Sequence, residues 1–589
     1  MPAVRYFSCA AVPVVPGISR PNAIALACVA ALLGFAPTHS RAQEAALFPN
    51  GGSAAGDAGT GVASPVINPT SSLFNAGGGS TTPLPAMSTG MGTSLPLQPA
   101  PGKLGTFVQP AVTARETYTD NANFGYGGPA QGDWVSEVIP SLTVQSVTPR
   151  LQLTGSMQFD AINYLHHTLP SMVLPNGGFD GILTAIPKHL YLDAAVTAVQ
   201  SPNDLLLPSN LGASTFNTFT TYNYHVSPDF RGKLPDEMQY DLRSDNAWSH
   251  SVNAPYGYLT DTYLGHDSAE LLKKPQSLGF ALKVEQFDNS FGAATGESTR
   301  QQIGRLILRA ALDPQFVVGL RGGAERENFL PGDPWHSISG AEFDWKPTDH
   351  AEISAYDEKR FFGNGFQYSV LDRTPWLAFS LTGNRDITTT PQELFSLPAT
   401  GNVAGLLDAM LMTQYPDPAA RAQAVQSLMT SENLPNSMAG PALLFAPLVY
   451  LSESNTATAV WTGRRSAISL SVFELRSQVL AGTSFSTALP AASLFEGSNV
   501  QRGASIDGNH HISPLTSLAL TVSASRTEGI GSAAGFAMSQ NATTLRLIHQ
   551  LSPLTEFTVG ARNQIFSSPL LFSGREKAVF VALYHRFQH

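Results

Sequence analysis

The stretch RLQLTGSMQFD (Arg150–Asp160) alternates between polar residues and apolar or small ones along its whole length. Successive side chains of a β-strand point to opposite faces, so the apolar and small residues, from Leu151 to Phe159, share one face and the polar residues share the other. One face suits lipid and the other suits water, and roughly ten residues is the length of a transmembrane strand. Segments 278–285 and 341–346 repeat the pattern.

From Thr106 onward, segments of this kind are separated by short turns built around an X-Pro pair. Proline fixes φ and has no N–H to donate, so it belongs in a tight turn rather than inside a ladder. Longer loops rich in Gly and Asn, such as 120–133 and 289–299, join the strands at their other ends. Short turns at one end and long loops at the other are typical of outer-membrane barrels, whose turns are periplasmic. The X-Pro pairs are Thr148-Pro149, Ile186-Pro187, Ser227-Pro228, Lys274-Pro275, Asp313-Pro314, Lys346-Pro347, Ser513-Pro514 and Ser552-Pro553.

The sequence therefore predicts an all-β fold, a large antiparallel transmembrane β-barrel of about 20 strands, with a range of 18–22. This count puts every X-Pro turn at one end and leaves both chain ends of the barrel in the periplasm. Segment 456–478 could instead be two strands that turn at Gly463-Arg464-Arg465, which would break the even count. The predicted strands are 106–118, 134–147, 150–165, 176–186, 189–200, 215–227, 230–247, 259–271, 278–288, 300–312, 316–328, 336–346, 350–362, 373–384, 456–478, 499–512, 515–527, 539–551, 555–566 and 576–587.

Composition supports this class of fold. Of 589 residues, 43% are hydrophobic and only 13% are charged, which excludes a fully disordered chain. Mean hydropathy is −0.02, and after residue 42 no apolar run approaches the roughly 20 residues of a membrane-spanning helix. The apolar residues are thus dispersed, as alternating strands require.

The N-terminal 42 residues are predicted to be a secretory signal peptide, with basic residues before an apolar stretch and cleavage after Ala42. Both cysteines, Cys9 and Cys28, lie within it, so the mature chain has no disulfide or thiol chemistry. Residues 43–104 are rich in Gly, Ser, Thr, Pro and Ala, and we expect a disordered, flexible periplasmic tether. The barrel domain then covers 105–589.

Residues 398–446 do not alternate, and they contain two segments with helical character. The second begins with Asp417 at an N-cap position and Pro418 at the first helical position, followed by helix-favouring residues. We predict a helical insertion of two short helices within the barrel domain. The strand count favours a periplasmic position, and a plug in the lumen is the alternative.

Charged residues on the polar faces of the predicted strands are candidate lumen-lining residues. Their signs are mixed, so no preference for anions or cations follows. One interpretation is a polar conduit for hydrophilic solutes, including saccharides; the other is a set of cross-strand ion pairs that hold the wall, and we favour the ion pairs for individual residues. Arg360, beside Phe361-Phe362-Gly363 at a strand end, is the best candidate for a constriction or loop-anchoring contact. The candidates are Lys283, Glu285, Arg305, Arg309, Arg321, Glu325, Glu342, Asp344, Glu352, Glu358, Arg360, Arg546, Glu556 and Arg562.

The remaining motifs argue against several kinds of chemistry. Adjacent strand residues point to opposite faces, so His166-His167 and His510-His511 cannot chelate a metal as pairs, and we expect no metal or other cofactor. Asp120-Asn121-Ala122-Asn123 resembles part of a calcium loop but is better explained as a turn. There is no G-x-S-x-G or H-E-x-x-H motif, so we predict that the protein is not an enzyme; a hydrolase built from scattered residues is the weakest alternative.

Charge and aromatic residues bear on the surroundings of the protein. Without Arg5, Arg20 and Arg41 of the signal, 31 basic residues face 44 acidic ones, a net charge of −13, and nucleic acid is not an expected partner. All six tryptophans fall near the ends or faces of predicted strands, where aromatic girdles meet the membrane interface. Outer-membrane lipid is therefore the expected surrounding.

Several stretches resemble one family, the outer-membrane β-barrel proteins associated with the exosortase (PEP-CTERM) and exopolysaccharide systems of Gram-negative bacteria. The resemblance spans roughly 106–587 and implies the fold and an outer-membrane location; no activity comes with it. It also implies folding by the barrel-assembly machinery, to which a terminal aromatic strand is usually presented; here Gln588 and His589 follow the last aromatic residue, Phe587, which departs from that pattern. The stretches are Val226–Leu234, Trp345–Thr348, Glu358–Gly363, Asp372–Trp376, Tyr118–Asn123 and the Asp417-Pro418 helix with Arg421.

Two functions remain open from the sequence. The first is a channel or conduit for hydrophilic solutes or for export of an exopolysaccharide, with polysaccharide or periplasmic export components as partners. The second is a non-conducting structural or assembly barrel that anchors a periplasmic or surface partner. The position of 398–446 separates them, because an insertion in the lumen would close or gate the barrel.

Overall fold

The computed structural model describes most of the chain from residue 105 onward. The predicted signal (1–42) and tether (43–104) lie outside the described residues, so both remain predictions. The described residues are 105–202, 207, 215–252, 261–291, 298–330, 332, 334–389, 392, 403–416, 418–435, 438, 440–441, 448–482, 498–569 and 572–587.

These residues form 22 β-strands and two α-helices. The strands are β1 (Gly105–Thr119), β2 (Asp133–Val147), β3 (Leu151–Tyr164), β4 (Met172–Ile186), β5 (Leu190–Pro202), β6 (Thr218–Lys233), β7 (Met238–Val252), β8 (Asp261–Lys273), β9 (Leu278–Ser290), β10 (Ser298–Asp313), β11 (Phe316–Glu327), β12 (Trp335–Thr348), β13 (Ala351–Arg360), β14 (Gly363–Arg373), β15 (Leu377–Thr389), β16 (Leu448–Thr462), β17 (Ser466–Gly482), β18 (Asn499–Ser513), β19 (Thr516–Gly529), β20 (Ala537–Ser552), β21 (Thr555–Ser567) and β22 (Ser573–Arg586). The helices are α1 (Val403–Leu411) and α2 (Pro418–Ser431). Short 3₁₀ turns occupy Pro235–Glu237 and Gly531–Ala533.

The sheet is a closed barrel. Each strand pairs antiparallel with the next in sequence, and β1 also pairs with β22, with Ala111 opposite Arg586 and Thr119 opposite Ala578. Closure leaves no unpaired sheet edge, which is the condition for β-structure to cross a lipid bilayer. The predicted all-β barrel is confirmed, at the upper end of the predicted strand range.

Two strand assignments from the sequence are wrong in detail. Segment 456–478 is two strands, β16 and β17, which turn at Gly463-Arg464-Arg465. The predicted strands 350–362 and 373–384 have a further strand, β14, between them. Each correction adds one strand, so the even count survives.

The two ends of the barrel differ, as predicted. Every connection from an even-numbered strand to the next odd-numbered one contains two to four residues, and we call this the turn end. The opposite end, where odd-numbered strands lead to even-numbered ones, is the loop end. Pro228 is an exception to the predicted turns: it lies inside β6 opposite Leu192, and the chain turns only at Leu234–Glu237. Pro347 likewise lies within β12, one residue before its end.

The outer face is apolar where lipid would contact it. In β3, Leu151 and Phe159 are exposed, whereas Asp160 lies 3.8 Å from Arg115 on the inner face. The six tryptophans are all exposed and form two rings. Trp134, Trp248 and Trp335 lie towards the loop end, and Trp345, Trp376 and Trp461 lie towards the turn end. This surface is that of a transmembrane barrel with aromatic girdles.

The predicted helical insertion is confirmed as two helices between β15 and β16. Neither helix in the described part of the chain is long and apolar enough to cross a membrane. The prediction that the insertion leaves the barrel at the end of the X-Pro turns is wrong, because β15 ends and β16 begins at the loop end. The error follows from the missed strand β14. Without it, the predicted strand 373–384 runs in the opposite direction to the strand β15 that the structure shows.

Candidate functional site

The charged candidates of strands β9–β13 lie on the inner face, opposite exposed apolar neighbours such as Leu282, Leu306 and Leu320. They contact one another in a continuous ion-pair network. Its members are Lys283, Glu285, Arg305, Arg309, Arg321, Glu342 and Glu358.

Glu358 of β13 is the centre of this network and is almost completely buried. Arg305 Nε donates to its Oε1 at 3.0 Å, and Arg321 Nε donates to the same oxygen at 2.6 Å. Arg305 lies on β10, three strands from Glu358, or roughly 14 Å along the wall at about 4.8 Å per strand. The ion pairs therefore connect strands that do not pair through their backbones, and they stiffen a strongly curved part of the wall.

Two further carboxylates complete the network. Glu342 accepts hydrogen bonds from Arg309 Nε at 2.5 Å and from Arg321 Nη1 at 2.8 Å. Glu285 lies 2.9 Å from Arg305 Nη1 and 2.8 Å from Lys283 Nζ. Gly319 makes room for Glu342, because a Cβ at this position would lie 2.7 Å from Glu342 Cγ. The glycine on β11 thus leaves the space that the Glu342 side chain on β12 occupies.

Arg360 lies beside the network near the loop end, and its side chain is only 1% exposed. It forms ion pairs with Glu325 of β11 and Asp386 of β15, and its guanidinium carbon lies 4.9 Å from the ring centroid of Phe362. Glu325 also accepts from the backbone N–H of Phe361, which begins the β13–β14 connection. These contacts match a loop-anchoring position for Arg360.

The other candidates are distributed around the barrel. Asp344 lies on the inner face of β12, two residues from Glu342, and Glu352 pairs with Lys346 at 3.0 Å. Arg562 of β21 binds Glu576 of β22 through Nε at 2.9 Å, and Thr119 donates to the same carboxylate. Arg546 of β20 interacts electrostatically with Asp507 and Glu556. Asp344 interacts electrostatically with Arg309 and Glu342 of the network, whereas Arg546 and Arg562 lie on strands far from it.

Sequence reasoning missed a second cluster on β6–β8. Asp245 accepts from Arg243 Nε at 2.8 Å and from Ser227 Oγ at 2.6 Å, and His225 and His266 lie within 3.4 Å of it. His266 also lies 3.4 Å from Glu285, so the cluster continues into the ion-pair network. Alternation in β7 would have placed Arg243 and Asp245 on one face, but the turn wrongly assigned to Pro228 obscured their partners on β6.

At the loop end the wall β9–β15 curls inward. Thr389 Oγ1 of β15 donates to Asn289 Oδ1 of β9 at 3.1 Å. These strands are six apart, roughly 29 Å along the wall, so only strong curvature brings their ends together. The curl encloses the side of the lumen that carries the buried ion pairs.

The helices pack inside the barrel at the turn end. Leu407 and Met410 of α1 are buried against Ala378, Val460 and Ala467, which are inner-face residues of β15, β16 and β17. The preceding strand β15 ends at the loop end, at Thr389, whereas these helices lie at the turn end. This packing on the inner face agrees with the interpretation as a plug in the lumen.

Polar contacts fix this plug, residues 403–438, to the wall. Arg373 lies at the turn end of β14. Its Nη1 donates a hydrogen bond of 2.7 Å to the carbonyl oxygen of Ala409 in the last turn of α1. A cation at a helix C-terminus satisfies free carbonyls and complements the helix dipole. Glu432, just after α2, lies 3.2 Å from His511 of β18. Within the plug, Arg421 of α2 pairs with Asp408 of α1 at 2.7 Å.

The histidine pairs and the Asn-rich turn have structural partners. His166 Nδ1 lies 2.9 Å from Asp133, His510 contacts Ser466 and His511 contacts Glu432. Asn123 holds the β1–β2 loop together through its side-chain amide. Within the described residues there is no group of three or more His, Cys, Asp or Glu side chains placed to hold a metal ion.

A closed antiparallel barrel with an apolar girdled exterior and a charged interior defines a β-barrel of the outer-membrane type. No protein-family model matches the chain, and no curated protein is similar to it. Solved structures with a similar barrel include the siderophore receptor PirA from Pseudomonas aeruginosa, with 8% identity over 82% of this chain and 81% of that chain and a TM-score of 0.39. PirA from Acinetobacter baumannii has 9% identity over 82% and 81%, with a TM-score of 0.41.

A third similar structure is the FrpB iron transporter from Neisseria meningitidis in its F5-1 variant, with 9% identity over 81% of each chain and a TM-score of 0.42. Identities and TM-scores this low carry over no ligand and no mechanism. The functional interpretation therefore rests on the interior of this barrel.

Proposed function

We propose that the protein is an outer-membrane channel for hydrophilic solutes, gated by the plug at the turn end. The supporting observation is that α1 and α2 pack on the inner wall while both connections to them start at the loop end. The helices are not part of the backbone ladder of the sheet, so they can be displaced without breaking the barrel.

The orientation and cargo belong to the same proposal. We place the turn end in the periplasm, the loop end outside the cell, and barrel folding under the barrel-assembly machinery. As cargo we propose an exopolysaccharide, motivated by the resemblance carried by Val226–Arg385. A periplasmic export component is then the partner expected at the plugged end, next to Arg373 and the α1–α2 connection.

A non-conducting structural barrel is the second candidate, and the buried contacts of α1 favour it. Val403 and Leu407 are fully buried, which would suit a permanent plug. In that case the barrel anchors a partner, and the plug never moves.

Single-channel conductance in a planar bilayer separates the candidates. The refolded mature barrel is compared with a variant that lacks 398–446, and stable large conductance of the deletion variant is expected. Silence of both proteins would contradict the channel. Conductance of the deletion variant combined with permanent silence of the intact barrel would support the structural candidate.

A reversible cross-link tests gating without a deletion. Thr462 Oγ1 lies 3.9 Å from Met410 Sδ, and the chain has no cysteine after Cys28. The double variant Met410→Cys/Thr462→Cys is joined by a short bis-methanethiosulfonate reagent, which forms a reducible disulfide with each cysteine and releases methanesulfinate. Gating predicts fewer openings after cross-linking and recovery on reduction, whereas each single-cysteine variant stays unaffected. Equal opening before and after cross-linking would refute movement of α1.

A further inference from the structure

A row of four aromatic rings, here called the aromatic bridge, lies at the loop end of the barrel. We define it as Phe566 of β21, Phe572 and Tyr126 of two loops, and Phe216 just before β6. The ring centroids are 5.2 Å apart for Phe566–Phe572, 5.9 Å for Phe572–Tyr126 and 4.8 Å for Tyr126–Phe216. Along the wall, β21 and β6 are seven strand steps apart, roughly 34 Å. The rings therefore lie over one part of the loop end, between these strands.

Tyr126 is the exposed member of this bridge. Its side chain is 47% exposed, and one face of its ring stacks on Phe216 at an interplanar angle of 10°. Phe566 is fully buried, so it supports the bridge from the inner wall. The exposed edge and the free face of the Tyr126 ring are therefore open to a ligand, while the other three rings support it.

The loop that carries Tyr126 is preorganised. Asn123 Nδ2 donates to the carbonyl of Pro129 at 3.1 Å, and its Oδ1 accepts from the backbone N–H of Gln131 at 3.1 Å. Gly125 and Gly127 flank Tyr126 with φ angles of +77° and +75°, a conformation that L side chains rarely adopt. Phe124 is completely buried beneath the loop. A ring fixed in this way loses little conformational entropy when a ligand binds.

From residue 121 to residue 132, the loop that carries Tyr126 is polar but uncharged. Residues 121–132 contain amide groups and no charged side chain, and residues 568–572, which lead into Phe572, contain none either. The face of an aromatic ring is electron-rich and attracts weakly positive C–H groups, which line one face of a pyranose ring. Amide and hydroxyl groups suit the hydroxyls of the sugar.

We propose that Tyr126 is a stacking site for a neutral saccharide at the loop end of the barrel. This deepens the proposed function by naming the substrate class of the same conduit, and it rests on that function for its biological meaning. An acidic polysaccharide would instead require cations around the ring.

Binding is measured by calorimetry on the full mature barrel in detergent micelles, which requires no conductance. The probes are neutral glucose oligosaccharides with α-1,4, β-1,4 or β-1,3 linkages and an acidic oligogalacturonate. At least one neutral probe should bind, and Tyr126→Ala should raise its Kd about tenfold. Tyr126→Phe keeps the ring and should keep most of the affinity.

Tyr118→Ala is the matched control. Tyr118 is 43% exposed on β1, but its ring packs on Trp134 in the outer girdle, 5.3 Å away, rather than on the aromatic bridge. This variant should bind as the wild type does. The proposal is overturned if no neutral probe binds, if the acidic probe binds as tightly, or if Tyr126→Ala leaves the Kd unchanged. If the barrel binds saccharide but never conducts, the proposed channel function is contradicted and the proposed saccharide site stands.

Discussion

Replacing Arg360 with methionine tests whether the buried charges hold the wall. Methionine preserves much of the apolar stem but removes the guanidinium that pairs with Glu325 and Asp386. The Glu325 side chain is fully buried, and without Arg360 it keeps the hydrogen bond from the backbone N–H of Phe361 at 3.3 Å. Leaving a buried carboxylate without its cation costs about 3–5 kcal/mol, and we expect a loss of this size in the free energy of unfolding.

The assay is urea unfolding of the refolded barrel in detergent, followed by tryptophan fluorescence. Arg502→Met is the matched control, because Arg502 is 58% exposed on the outer face and pairs with Glu474, so its loss should cost less than about 1 kcal/mol. The double variant Arg360→Met/Glu325→Leu should regain much of the stability, since an apolar pair can replace a buried ion pair. A single variant as stable as the control, or a double variant as unstable as the single one, would refute the reasoning.

Three further results are expected. Arg373→Ala removes the donor to Ala409, so limited proteolysis should cut the plug faster and channel openings should increase. Arg465→Ala, in a neighbouring exposed turn, is the control and should change neither. Protection from proteolysis equal to that of the wild type would exclude Arg373 as an anchor. Leu407→Ala should weaken plug docking by about 2–5 kcal/mol, seen as faster hydrogen exchange in α1 with unchanged exchange in the strands, and slow exchange in α1 would count against docking through this side chain. Glu358→Gln removes the carboxylate that two arginines share and should lower the free energy of unfolding by about 3 kcal/mol, and an unchanged urea midpoint would show that the network contributes little.

Alternation in the sequence predicted strand faces well because it is a local property. Lys283 and Glu285 fall on the inner face for the same reason that Leu282 and Val284 fall on the outer one. The contact of Arg305 with Glu358 could not be predicted, since it depends on the curvature of a wall three strands wide. Local patterns carry no information on curvature.

Turns without proline were the hardest feature to predict from the sequence. The β13–β14 connection is Phe361-Phe362, two aromatic residues that read as part of a continuing strand. Missing it reversed the predicted direction of the following strand and so placed the insertion at the wrong end. The helical character of Pro418–Ser431 was readable locally, but the position of both helices depends on packing against Ala378 and Val460, which lie elsewhere in the chain.

The distance between the two tryptophan girdles sets the membrane thickness that this barrel matches. Trp335 and Trp345 lie ten residues apart on the outer face of β12, or roughly 34 Å along the strand at about 3.4 Å per residue. With a strand tilt of about 40°, their separation along the bilayer normal is roughly 26 Å. A bilayer with a hydrocarbon core of about 30 Å would have to thin around the protein, at a cost of fractions of a kcal/mol per Å of hydrophobic mismatch. The bacterial outer membrane is thinner than average, so the spacing of these indole rings alone would favour retention there over an inner membrane.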